Sequence, residues 1–233
     1  MDNSDKIVVV HQPDFMPYLG FFDRLLKADI YVIFDNVQFV SSSRSWTNRD
    51  KIKTQNGEKW ITVGTKKAPR DAKINQIILT EDTDWRKRHL NLFYENYRKA
   101  DYYKDIFPYL EELYSFECER MMDFNLKSIE MLMRLFDIQI DTVLASDLEP
   151  EGKNNTLIID IMRKLGTRKY LSGAGARAYH DQSLYDAAGV EVIWQDFRHP
   201  VYKQQFGEFI PYLSSIDLLL NCGAREARKM IRG

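Results

Sequence analysis

The chain has 233 residues, 44% hydrophobic and 29% charged, enough to bury roughly 70% of its unfolded surface. It contains no apolar run of about 18 residues, and its start, Met1-Asp2-Asn3-Ser4-Asp5, lacks the basic-then-apolar layout of a signal peptide, so a cytoplasmic protein without a membrane span is expected. Two cysteines, Cys118 and Cys222, are too few for a disulfide framework and lack zinc-ligand spacing, and a formal net charge of −1 argues against a nucleic-acid partner.

Ile7 to Val10 is a short, wholly apolar, β-branched run, the pattern of a strand buried on both faces of a parallel sheet. A proline-stiffened loop, His11 to Pro17, leads into a helix over Tyr18 to Ala28 with Leu19, Phe22, Leu25 and Leu26 on one side, and then into a second apolar strand, Ile30 to Phe34. This βαβ unit places the loop at the carboxyl edge of the sheet, where open α/β folds bind ligands. From Gln38 to Leu79 the segments alternate and become polar. Asn56-Gly57 marks a hairpin within Lys51 to Thr65, and a further strand is predicted over Ile74 to Leu79.

Helices are predicted over Trp85 to Lys99, Tyr102 to Tyr114 and Arg120 to Phe136, the last with a Met-rich stripe that reads as core. The α/β rhythm then resumes with a strand at Ile140 to Leu144 and a helix at Thr156 to Leu165, capped by Asn155 and closed by Gly166. A strand at Lys169 to Ser172, a helix at Gln182 to Ala188 ended by Gly189, a strand at Val190 to Trp194 and an apolar helix at Ile216 to Leu220 with a basic tail complete the chain. The pattern predicts a single α/β domain with a mostly parallel, doubly wound, Rossmann-like sheet, whose layout also suits a nucleotidylyltransferase-like fold. Within it, about 40–80 forms a hairpin-like insertion and about 83–136 a helical segment.

The near-zero net charge conceals a segregation. Arg44 to Arg70 holds eight basic residues against two acidic, a net of +6, and Asp101 to Glu151 holds four against thirteen, a net of −9. Such stretches form solvated faces, or, for the basic one, meet a phosphate-bearing ligand or an acidic partner.

Five constellations carry candidate chemistry. His11, at the end of a buried strand and ahead of a helix, can present its imidazole to a ligand. Asp35, just past the second strand, would emerge at the same edge to orient that imidazole, or would make an ordinary Asx-turn with Asn36. Asn48-Arg49 offers an amide and a guanidinium fork for a carboxylate or phosphate. Leu171 to Ala178, between a strand and a helix, matches G-x-G-x-x-A from Gly173 to Ala178 only in form and reads as a tight turn or a backbone-lined anion pocket. Trp194 to Tyr202 adds His199 after another parallel strand, and Cys222 reads as a small buried residue rather than a nucleophile.

H-Q-P-x-x-x-P-x-x-G from His11 to Gly20, D-x-x-Q-F from Asp35 to Phe39, Asn48-Arg49, Tyr170-Leu171-Ser172-Gly173, Trp194-Gln195 with His199-Pro200-Val201-Tyr202, and Leu213 to Gly223 run in order along nearly the whole chain. In this combination the sequence resembles the WbqC family, associated with bacterial O-antigen and other surface-polysaccharide loci. The likeness implies transfer of glycine or another acyl group to an amino sugar. The positions matching the family motifs are His11, Gln12, Asp35, Gln38, Asn48, Arg49, Ser172, Gly173, Gln195, His199 and Tyr202.

The resulting expectation is an acyltransferase of aminoacyl, glycyl-type specificity acting on the amine of a nucleotide-linked amino sugar. His11 or His199 is the general base, Asp35 orients it, Arg49 holds phosphate, and Ser172 with the backbone near Gly173 stabilises the oxyanion. Gln12, Gln38, Asn48, Gln195 and Tyr202 complete the substrate-binding set, with no metal. The donor is a thioester of coenzyme A or of the phosphopantetheine on an acyl or peptidyl carrier protein. Two alternatives stay open: an ATP-dependent ligase or nucleotidylyltransferase, from a fainter layout similarity to pantothenate synthetase, and a non-catalytic sugar-nucleotide-binding protein.

Overall fold

The computed structural model describes residues 3–40 and 45–233, so Met1 and Asp2 of the acidic start and Arg44 of the basic stretch lie outside the described residues. The contacts divide the chain into two compact units. The first comprises 1–12, 23–36 and 139–198, and the second 13–22, 37–138 and 199–233.

The first unit is built on a five-stranded parallel sheet of order β5-β2-β1-β6-β7. Its strands are β1 (Ile7–His11), β2 (Ile30–Ile33), β5 (Asp141–Leu144), β6 (Lys169–Ser172) and β7 (Glu191–Trp194). Alternation sends Val8, Val10, Ile30, Val32 and Tyr170 into one core. Ala145 of α5 (Ala145–Leu148), Ile161 and Met162 of α6 (Asn155–Leu165) and Tyr185 of α7 (Gln182–Ala188) complete it. Each fully buried aliphatic side chain there contributes about 1.5–3 kcal/mol before chain entropy is counted. Val9, Tyr31 and Leu171, of opposite parity, are buried too. Burial on both faces is why these strands read as continuous apolar runs.

Strand position along the sheet reverses beside β1: the chain runs outward through β2 to β5, then returns to place β6 and β7 on the other side. Counting only these five strands in chain order gives 3-2-1-4-5, the order of a dinucleotide-binding half, with its switch point between β1 and β6. The α/β reading therefore holds.

At the helix ends one detail differs from the sequence reading and one agrees with it. Asn155 is the first helical residue of α6 rather than its cap. Asn154 takes the cap position with φ 52°, and the Asn155 amide donates to the Tyr179 carbonyl at 3.1 Å. Gly189 does end α7, in the left-handed region at φ 66°, where Val190 N–H reaches the Tyr185 carbonyl at 2.9 Å.

The second unit holds the hairpin β3 (Arg49–Thr54) and β4 (Gly57–Thr62), and the helices α2 (Asp84–Tyr97), α3 (Tyr103–Ser115), α4 (Met121–Phe136) and α8 (Ile216–Arg232). Asn125 of α4 donates to the carbonyls of Pro13 and Thr47 at 2.8 and 2.6 Å, fixing the loop that carries Phe15. The predicted strand at Ile74 to Leu79 is instead a 3₁₀ turn, Ile74–Gln76, followed by isolated bridges from Ile78 and Leu79. Ile74 and Ile77 are both buried, a spacing of three that suits 3.0 residues per turn, and the Gln76 side chain accepts from Lys73 N–H at 2.9 Å to close it. Helix α8 runs well past Leu220 and kinks at Gly223 (φ 74°), where the Tyr102 ring fills the place a Cβ would take, 2.5 Å away.

Candidate functional site

The carboxyl edge of the first unit gathers six sequence-predicted positions: His11, Gln12, Asp35, Ser172, Gly173 and Gln195. His11 is the last residue of β1, and its carbonyl accepts from Phe34 N–H at 2.9 Å, which fixes the main chain there. Val8 pairs with Tyr170, so His11 and Gly173 follow at the same end of neighbouring strands, flanking the switch point.

The His11 ring is partly buried, and its Nδ1 lies 2.9 Å from the Gln12 carbonyl. A carbonyl only accepts, so Nδ1 carries the proton and Nε2 is the basic atom. Burial, then the positive charge of Arg24, holds the imidazole pKa down to about 3, and the ring is neutral at physiological pH. Asp35 is buried, with Oδ1 accepting from Ser146 N–H at 2.9 Å near the start of α5.

Ser172 is buried at the end of β6, its hydroxyl 3.5 Å from that of Tyr170. Gly173 has an ordinary extended backbone, φ −72° and ψ 148°, so no left-handed conformation calls for glycine. Space does: a Cβ would lie 3.0 Å from Nη1 of Arg24. Gln195 donates from its amide to Asp23 Oδ2 at 2.6 Å, and Asp23 Oδ1 also meets Lys27 Nζ at 2.7 Å.

Arg24, in α1 (Leu19–Leu26), is the residue sequence reasoning missed. It is 6% exposed, and its Nε has no hydrogen-bond partner. Among the described residues no carboxylate lies within ion-pair distance of its guanidinium, and the adjacent Asp23 is engaged by Lys27 and Gln195. A signal existed in the sequence. Leu19, Phe21, Phe22, Leu25 and Leu26 spread around more than one side of a short helix, leaving Asp23 and Arg24 no solvent face.

The other predicted positions belong to the second unit. Arg49 stacks over Trp60 at 4.0 Å and donates from Nε to the Ser45 carbonyl at 3.0 Å. The Asn48 carbonyl accepts from Val63 N–H at 2.8 Å, and the Gln38 amide donates to the Arg70 carbonyl at 2.7 Å. His199 repeats the His11 arrangement, with Nδ1 2.9 Å from the Pro200 carbonyl, and sits among Tyr202, Phe209 and Tyr212. Burial lowers its pKa. The Tyr202 hydroxyl donates to Asp217 at 2.9 Å. Of the basic stretch, Lys51 pairs with Glu58 at 2.6 Å and Lys66 with Glu81 at 2.7 Å, and Lys53 is buried against Gln204 at 3.0 Å and the Glu208 carbonyl. Burial, then the charge of Asp217, pushes the Cys222 thiol up to about 11, which leaves it protonated at neutral pH.

Among the described residues no group of three His, Cys, Asp or Glu side chains is placed to hold a metal ion, and no helix is long and apolar enough to cross a membrane. A profile of the WbqC-like protein family matches residues 12–229. The chain is 29% identical, over 221 residues that make up 94% of it and 95% of the relative, to the uncharacterized protein Rv1507c of Mycobacterium tuberculosis (strain ATCC 25618 / H37Rv). No solved structure matches it significantly.

Proposed function

The chain belongs to the WbqC-like protein family, and on that premise we propose that it is an aminoacyl-type acyltransferase acting on the amine of a nucleotide-linked amino sugar. The observation that carries this reading is the neutral imidazole of His11 at the β1/β6 switch point, with its lone pair on Nε2. The sugar amine attacks the carbonyl carbon of a thioester; a C–N bond forms and the C–S bond breaks. The proton lost by the amine passes to Nε2 of His11 and then to the departing thiolate. The Ser172 hydroxyl donates to the developing oxyanion. With its pKa lowered to about 3, the imidazole is a weak base. A phosphate of the sugar nucleotide at the same edge offsets the Arg24 charge and lifts the imidazole toward the range where it takes a proton.

Incubating the protein with a dTDP-amino sugar and an aminoacyl thioester, on a carrier protein or coenzyme A, gives an acyl mass gain on the sugar by mass spectrometry. His11→Asn lowers the rate by about 10²–10⁴-fold with the fold intact. Unmodified sugar with both donors would refute the reading for those substrates. The strand order, that of a nucleotide-binding half, favours a second reading as an ATP-dependent ligase or nucleotidylyltransferase. Pyrophosphate release dependent on ATP separates it from thioester-driven transfer.

A further inference from the structure

The buried guanidinium of Arg24 is a charge that the protein itself does not neutralise. Several features converge on it. It is 6% exposed with an unpartnered Nε, and among the described residues no carboxylate lies within ion-pair reach. The nearest carboxylate in sequence, Asp23, is held by Lys27 and Gln195 at 2.7 and 2.6 Å. Gly173, at the end of β6, has the ordinary backbone of any residue, yet a Cβ there would stand 3.0 Å from Nη1 and 3.5 Å from Cζ of Arg24. The charge is felt at both strands that flank the switch point: it lowers the pKa of His11 on β1 and acts in the same direction on Tyr170 on β6.

We propose that Arg24 is the receptor for a phosphoryl oxyanion at the carboxyl edge between β1 and β6, with Gly173 holding open the approach to its guanidinium. The planar fork of an arginine donates to two oxygens of one phosphate, and phosphate is the group that nucleotide-binding halves hold at this switch point. The inference shares its edge with the acyl-transfer reading but stands without it, because it concerns binding whatever reaction follows.

Titration of the full chain with inorganic pyrophosphate by calorimetry, alongside thermal unfolding, tests it without any acyl donor. The expected result is saturable binding and a raised Tm for the unaltered protein. Arg24→Met weakens that binding by about 10- to 100-fold, while its Tm without ligand is equal to or above that of the unaltered protein. Arg24→Lys keeps the charge without the fork and loses less. Gly173→Ala, which touches only the mobile end of the arginine, weakens binding with little change in Tm. No pyrophosphate binding by the unaltered protein, equal binding by Arg24→Met, or unfolding of Arg24→Met would each overturn the proposal. Acetate competing as well as phosphate would overturn the phosphoryl assignment. Loss of acyl transfer with pyrophosphate binding intact would sink only the reaction proposed above.

Discussion

Asp217 in the second unit and Arg24 in the first are charged residues buried to a similar degree, 0% and 6% exposed, yet their surroundings differ completely. Each carboxylate oxygen of Asp217 receives a phenol, Tyr97 at 2.8 Å and Tyr202 at 2.9 Å, and Asn221 adds a longer donor at 3.3 Å. Tyr97 in turn accepts from Lys53 N–H at 2.8 Å, so the network ties β3, α2, α8 and the loop after His199 into one piece. Arg24 has no such company. Burying an ion costs several kcal/mol unless partners return it. The Asp217 network returns it from within the fold and is architecture. The Arg24 site leaves it outstanding, which is the signature of a place completed by a ligand.

Removing the acceptor from the satisfied network has the largest expected effect. Asp217→Ala strands two phenols, while the Asn221 amide keeps the main-chain carbonyl of residue 217 at 2.8 Å, and a loss of about 3–5 kcal/mol is expected from urea unfolding. Asp217→Asn keeps one oxygen and costs about 1–2 kcal/mol.

The next effect is a pH dependence. His89, buried in the second unit, has its pKa lowered to about 4 by burial, then by Arg88. Thr62 N–H donates to its Nε2 at 3.1 Å, so protonation there would set two donors against each other. The folded-state pKa lies below the unfolded value of 6.5, so the unfolded chain takes up protons first. Stability is therefore full above about pH 6.5 and falls as pH drops toward 4, by up to about 3 kcal/mol. His89→Gln flattens this slope in unfolding curves taken between pH 4 and 7, while the His11 contribution continues to about pH 3.

Smaller, and opposite in sign, is the effect of emptying the unsatisfied site. Arg24→Met gains about 1 kcal/mol in stability because a buried cation is replaced by an apolar chain. The same change raises the His11 pKa, read from the imidazole proton shifts, because the second cause of its depression is gone.

The smallest effect belongs to the basic stretch. Lys51, Lys53 and Lys66 already have partners, and reversing exposed Lys59 or Lys67 changes stability by less than about 0.5 kcal/mol. Pyrophosphate affinity should fall no more than about threefold, and only at low salt. A larger drop than that of Arg24→Met would move the anion site to the hairpin.

Much of this was legible in the residues. The βαβ opening, the hairpin at Asn56-Gly57, the three long helices and the parallel strands follow from periodicity and turn chemistry, because each is decided within one element. His11, Ser172 and Gly173 were legible as edge positions for the same reason: a residue at the end of a buried parallel strand can only emerge there. Ile74 to Leu79 misled because a short apolar run suits a strand or a 3₁₀ turn equally, and the Gln76 to Lys73 hydrogen bond chose the turn.

The sequence by itself determined the α/β class, the family and which strand ends meet at the ligand edge, since local propensity and chain order are written residue by residue. Only the tertiary structure decided which charges are spent and which are not. The conspicuous +6 stretch is largely paired, stacked or solvated, whereas the uncompensated charge is one arginine in a short, mostly apolar helix whose single carboxylate, Asp23, is engaged elsewhere. Net charge counts formal units along the chain. Electrostatic free energy depends on burial and on the partners within a few ångströms, and both are set by packing.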